Sequence, residues 1–234
     1  MVTITSIAGG APKPVFDRLA PVYEQRTGNR LNALYDTMSG IQGRVARAEG
    51  LDVLLMPVAM LDDYEKAGVV LAVGRAALAN IGLGVGIKAG SPLPDISTAE
   101  ALRNALKAAG TVVHAAPTAT PSGAQSDKVI RELGLAGDPS LRVIHKAGLA
   151  GGVASIASGE AALGIFPKSE IVAFDGVTLV GSLPDALQLN IAYGAAVTAS
   201  SPVPKEAAAF IQFLIEPNSR EVWTVCGFDP PSAA

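Results

Sequence analysis

The chain has 234 residues, 49% of them hydrophobic and 17% charged, which excludes a disordered chain and gives enough length for one large α/β domain or two small lobes. A net charge of −3, no basic run and scattered aromatics exclude an ordinary nucleic-acid binder. One cysteine, Cys226, excludes an internal disulfide; with only His114 and His145 beside it, no Cys/His cluster is expected to hold a metal, and no cofactor motif is seen.

In chain order, "VTITSIAG" (2–9) predicts a strand and "KPVFDRLAPVYEQRTG" (13–28) a helix. Val15, Phe16, Leu19, Val22 and Tyr23 form its apolar face, and a glycine stops it. "NRLNALYD" then predicts a strand, "SGIQGRVARAEG" a helix, "DVLLMP" a buried strand and "AMLDDYEKAG" a helix. This βαβαβα rhythm predicts a mostly parallel sheet with right-handed crossovers.

"LANIGLGVGIKAG" (78–90) breaks the rhythm as one long strand; it is too short and glycine-rich for a membrane span. The helix at 97–110 follows, with Ser97 as cap and Glu100 completing a capping box. "TVVHAA" predicts a strand, and "TATPSGAQSDKVIRELG" a loop and helix whose start suits an anion; Ser122 as a plain cap is the other reading. "LRVIHKA", "GGVASIASGE" and "AALGIFP" continue as strand, helix and strand, and "GVTLVGSLP" and "LNIAYGAAVT" as strands. Two helices, 204–217 and 218–228, close the chain, the second ending on a packed Cys226. The expected architecture is α/β and two-lobed, each lobe a mostly parallel sheet flanked by helices. Residues 1–80 and 197–234 form a discontinuous first lobe, residues 81–196 an inserted second, and the chain crosses near 78–84 and 192–198.

Several stretches together resemble a known family: "AGGAPKPVFDRLAPVYEQRTG", "MSGIQGRVARAEGLDVLLMP", "PSGAQSDKVIRELGL", "VASIASGEAALGIFPKSEI" and "PKEAAAFIQFLIEPNSREVWTVCGF". The chain is similar to the molybdate-binding-protein family of ABC-transporter solute receptors, of the type II periplasmic-binding-protein fold. The resemblance covers nearly the whole chain and implies a ligand cleft between the lobes, lined by loops at helix N-termini. The matching loops are Ala8–Ala11, Met38–Gly40, Pro121–Gly123 and Gly148–Gly151. Ser39 falls on the family's binding serine, and Ser122 and Gly123 fall on the third loop.

Two departures bear on the ligand. Gly9, Gly10 and Ala11, with Lys13 close behind, replace a serine of the first loop. Pro167, followed by Lys168 and Ser169, replaces a tyrosine that faces the oxyanion. An ammonium suits an organic carboxylate, so the expected ligand is a small di- or tricarboxylate rather than molybdate. Bland alternatives stand beside these roles: Lys13 solvated, Lys168 paired with Glu170 at the surface, His114 packed, Asp36 and Thr37 in a turn.

The resemblance implies a binding protein that delivers a small anion to an ABC permease. It also reaches relatives resembling aconitate isomerases, which shift a proton in an unsaturated tricarboxylate without a cofactor; Lys168 or His114 would then be the base. Nothing in the sequence demands more than a monomer or predicts membrane insertion. With no leader visible before the strand that starts at residue 2, the expected location is the periplasm if a signal peptide was removed, and the cytoplasm otherwise.

Overall fold

A computed structural model describes residues 1–118, 120–146 and 149–231; of Leu149 and Ala150 only the backbone is described. The chain divides into two compact units, Met1–Asn80 with the chain from Ile191 onward, and Ile81–Asn190.

The first unit carries β1 (Thr3–Ala8), α1 (Lys13–Thr27), β2 (Arg30–Tyr35), α2 (Met38–Ala46), β3 (Val53–Pro57), α3 (Val58–Lys66) and β4 (Ala76–Ile81, whose last residue enters the second unit). The second carries β5 (Leu83–Lys88), α4 (Ala99–Ala109), β6 (Thr111–His114), α5 (Pro121–Glu132), β7 (Arg142–His145), α6 (Leu149–Ala157), β8 (Leu163–Pro167), α7 (Lys168–Val172) and β9 (Val177–Ser182). Then β10 (Ile191–Val197), α8 (Pro204–Leu214) and α9 (Pro217–Val225) return to the first unit.

Each unit holds a five-stranded sheet, ordered β2-β1-β3-β10-β4 in the first and β7-β6-β8-β5-β9 in the second. In each, the three strands on one side are parallel and the fourth runs against its neighbour. The predicted α/β class is what the chain adopts. Helices follow the parallel strands because a parallel connection must cross a sheet face, and the crossing helix buries that face. The run "VLLM" of β3 is fully buried, as a strand covered on both sides requires.

In the first unit Ile7, Leu54 and Met56 pack with Ile41 of α2 and Leu61 of α3. Phe16 and Tyr23 of α1 meet Phe210 of α8 edge-on at 5.9 and 4.9 Å. Buried Asp52, just before β3, accepts from the Thr5 N–H at 2.8 Å and the Ser201 hydroxyl at 2.6 Å, tying β3 to β1 and to the chain after β10. In the second unit alternate residues of one strand serve different clusters. Val112 joins Leu102, Leu106, Val129 and Ile130, while Val113 joins Val153, Ile156 and Phe166.

Five local expectations are corrected. The run 78–90 is two strands in two different sheets, broken at Gly82. Val22 is 51% exposed, so the α1 face is narrower than its apolar residues suggest. Thr98, not Ser97, caps α4, its hydroxyl accepting from Ala101 N–H at 3.1 Å. Thr120, not Ser122, caps α5. A short helix, α7, follows β8 where none was expected.

Candidate functional site

The turn after β1 holds Gly9, Gly10 and Ala11. A Cβ on Gly9 would lie 2.9 Å from Met38 Cε and 3.3 Å from the Tyr193 hydroxyl oxygen. The turn packs against the ends of two side chains, those of β10 Tyr193, 7% exposed, and α2 Met38. Lys13, first residue of α1, is exposed; its ammonium donates to both Asp17 carboxylate oxygens at 2.9 and 2.7 Å and lies 5.8 Å from the Tyr35 ring centre. Its charge is taken up by its own helix.

Thr37 caps α2. Its hydroxyl oxygen accepts from Gly40 N–H at 3.1 Å and lies 3.1 Å from the exposed Ser39 hydroxyl. Asp36 accepts from Arg44 at 3.0 Å and Thr37 N–H at 2.8 Å; these hydrogen bonds, Arg44 foremost, hold its carboxyl below the usual range. A side chain at Gly40 would run into Asp36.

The same four-residue pattern, Thr-x-Ser-Gly, opens α5. Thr120 accepts from Gly123 N–H at 3.0 Å, and its hydroxyl is 3.0 Å from that of Ser122. The Ser122 N–H, in the first turn, has no helical carbonyl ahead of it. Ser126 donates to the Ser122 carbonyl at 2.9 Å, and Gln125 donates to the Leu187 carbonyl at 2.8 Å. A Cβ on Gly123 would lie 2.4 Å from the Ala116 carbonyl oxygen, so α5 sits directly on the chain leaving β6. Gly148 lies outside the described residues.

Lys168 and Ser169 open α7 and are 8% and 1% exposed. The Lys168 stem runs over Gly84, where a Cβ would lie 2.9 Å from Lys168 Cγ. The buried Ser169 hydroxyl has no hydrogen-bond partner, which a native chain rarely leaves unexplained. Lys168 is buried rather than at the surface. Glu170, half-buried on the same turn, has its carboxyl pushed up to about 7 by desolvation. Sequence reasoning took Glu170 only as a partner for Lys168; nothing in "PKSEI" shows that it is half-buried.

His114 ends β6 fully buried. Its Nδ1 lies 2.8 Å from the Ala115 carbonyl oxygen, while Nε2 is buried without a partner. Desolvation pulls its pKa below the ordinary histidine value. His145, its partner in the β6–β7 register, stacks edge-on at 4.7 Å. With Asp127 of α5 these histidines form a three-residue group that the sequence reading did not foresee: one nitrogen or oxygen from each lies within 4.8 Å of the others.

Hydroxyls, helix-start amides and a buried lysine lie at the carboxyl ends of parallel strands, where open α/β sheets receive ligands. The sequence model of the bacterial extracellular solute-binding proteins matches residues 4–229, and the chain belongs to that family. An aconitate isomerase from Pseudomonas sp is 30% identical over 241 aligned positions, spanning 100% of this chain and 90% of that protein. The substrate-binding domain of an ABC transporter from Clostridium difficile superposes with a TM-score of 0.82 at 16% identity, covering 99% of this chain and 100% of that one. The periplasmic molybdate-binding protein of Azotobacter vinelandii superposes with a TM-score of 0.76 at 17% identity, over 98% of this chain and 100% of that one. At these identities the two structures speak for the fold alone. Among the described residues no helix is long and apolar enough to cross a membrane.

Proposed function

We propose that this chain is a solute-binding protein for a small organic di- or tricarboxylate, working outside the cytoplasm with an ABC permease. The observation that carries the ligand class is the start of α7, with Lys168 buried over Gly84 and the Ser169 hydroxyl buried beside it without a partner. A lysine and a hydroxyl residue buried at one helix start suit a carboxylate, which an ammonium meets with charge-assisted hydrogen bonds. Ser122 and Gly123 offer a second carboxylate the first turn of α5, where backbone N–H groups and the helix dipole favour negative charge. Lys13, held on Asp17, is a solvated surface residue in this reading.

A second reading, isomerisation of an unsaturated tricarboxylate, is favoured by the full-length likeness to an aconitate isomerase and by Glu170. A carboxylate that titrates near neutral pH can take a proton from a methylene carbon flanked by a double bond and a carboxylate. It can return that proton at the far end of the allylic carbanion, which moves the double bond, with Lys168 stabilising the charge. Lys168 and His114 are the other candidates for the base, and no cofactor is needed.

A thermal-shift screen across molybdate, tungstate, sulfate, citrate, tricarballylate and both aconitates tests the ligand class. A ligand at 100 times its dissociation constant adds about 2.7 kcal/mol of stability. Stabilisation by the carboxylates alone supports the proposal, and stabilisation by the oxyanions alone ends it. Proton NMR of cis-aconitate with the protein in D2O separates the readings: catalytic deuterium uptake makes the chain an isomerase, and unchanged substrate leaves it a binder.

A further inference from the structure

The group formed by His114, Asp127 and His145 has the chemistry of a transition-metal site. A carbonyl oxygen only accepts, so the 2.8 Å contact to Ala115 requires the proton on His114 Nδ1. That leaves Nε2 as a bare lone pair in a fully buried ring with no donor facing it. An imidazole with Nδ1–H fixed on a backbone carbonyl and Nε2 open is the arrangement of a metal ligand, because the outer hydrogen bond sets both tautomer and ring orientation.

The other two groups are placed by separate features of the fold. Parallel pairing of β6 and β7 sets His145 directly beside His114, so both side chains leave the sheet on the same face. That face is the one covered by α5, since Val112 packs with Val129 and Ile130. Asp127 of α5 brings one carboxylate oxygen to within 4.8 Å of the histidine nitrogens from there, and Arg131 one turn on donates to its Oδ2. Ligand atoms within 4.8 Å of one another need only a small closure to share an ion at about 2.0–2.2 Å.

We propose that His114, Asp127 and His145 bind one divalent first-row transition ion, of which zinc is the representative, with a fourth position open to water. Two imidazoles and one carboxylate select such an ion over magnesium or calcium, which take all-oxygen sites. Bound there, the ion joins α5 to the edge of the β6–β7 pair, close behind the Thr120–Gly123 turn.

The test is zinc titration of the untagged, metal-stripped chain, by competition with a chromophoric chelator and by thermal unfolding. The expected result is one zinc per chain at micromolar affinity or tighter, with a higher melting temperature. His145→Gln and Asp127→Asn alter groups at or near the surface, so the metal-free variants should keep the parent circular dichroism. Each should weaken zinc binding by roughly tenfold or more, at least the loss typical of removing a metal ligand's supporting partner. His114→Gln is unsuitable as the main probe because the ring is fully buried. No stoichiometric uptake by the parent chain, or equal uptake by both variants, overturns the proposal.

Discussion

The two units repeat one construction at the carboxyl end of their third parallel strand. β3 ends at Pro57 and α3 begins at Val58; β8 ends at Pro167 and α7 begins at Lys168. The two prolines share a backbone conformation, φ −51° and ψ 135° against φ −49° and ψ 132°. Each pairs with an antiparallel strand, Pro57 with Tyr193 and Pro167 with Leu83. Each construction also has a glycine on that antiparallel strand under the first helical side chain. A Cβ on Gly194 would lie 3.3 Å from Val58 Cγ2, and one on Gly84 would lie 2.9 Å from Lys168 Cγ.

The backbone is the same and the chemistry is not. The first unit places Val58 half-buried and Ala59 exposed, whereas the second buries Lys168 and Ser169. Apolar side chains at a helix start need no explanation, but a buried hydroxyl without a hydrogen-bond partner costs free energy unless something meets it. The two copies of one backbone thus differ in the polarity of the side chains they bury at this helix start.

The two units should differ most at Lys168. Lys168→Met should cost on the order of 2–5 kcal/mol of carboxylate affinity by calorimetry, because a ligand charge loses its buried partner. Val58→Met, at the matching place, should leave affinity unchanged. Equal effects would mean that the two copies do not differ in function.

The glycines sharpen this difference. Gly84→Ala forces a Cβ to within 2.9 Å of Lys168 Cγ, 2.7 Å of Leu179 Cδ1 and 2.9 Å of the Gly181 carbonyl oxygen. Overpacking of this kind costs about 1–3 kcal/mol, and here it should also weaken ligand binding by displacing Lys168. Gly194→Ala meets the Ala76 carbonyl oxygen at 3.0 Å and should cost stability in denaturant melts without changing affinity.

Glu170 has an apolar counterpart in α3 Met60, so its titration belongs to the second unit alone. Desolvation raises its pKa from 4.5 to about 7, so the folded chain binds a proton that the unfolded chain releases. Its contribution is most favourable below pH 4.5 and is lost as pH rises through 7. Glu170→Gln should therefore stabilise the protein by about 1–3 kcal/mol at pH 8 and by little at pH 4.5. A variant equally stable to the parent at both pH values would show that the carboxyl is not desolvated.

Lys13 carries the smallest expectation. Its exposed pair with Asp17 is worth well under ~1 kcal/mol, so Lys13→Met should change melting and affinity hardly at all. A tenfold loss of affinity would return it to the binding residues.

The sequence makes the α/β class legible because period-two and period-3.6 apolar patterns alternate cleanly through β1–α3. The buried β3 reads directly from "VLLM". The division at Gly82 does not, since a glycine-rich apolar run has no period to show where one strand stops and another starts. Ser97 and Thr98 are adjacent hydroxyl residues, and which one caps α4 depends on backbone angles that spacing leaves open. α7 has five residues, too few for periodicity. The hydroxyls at the starts of α2 and α5 are readable as candidates, but their capping partners are not; Thr37 and Thr120 do that work and leave Ser39 and Ser122 beside them. The histidine–aspartate group is hidden for a different reason. Its members are distant in sequence and meet only through strand register and a helix crossing.

Isothermal calorimetry of the parent chain against tricarballylate and against molybdate, followed by the same titrations of Lys168→Met, tests the central claim directly. Saturable heat with the tricarboxylate, none with molybdate, and loss of the tricarboxylate signal in the variant are expected. Sub-micromolar molybdate binding with no response to tricarboxylates, unchanged by Lys168→Met, would contradict it.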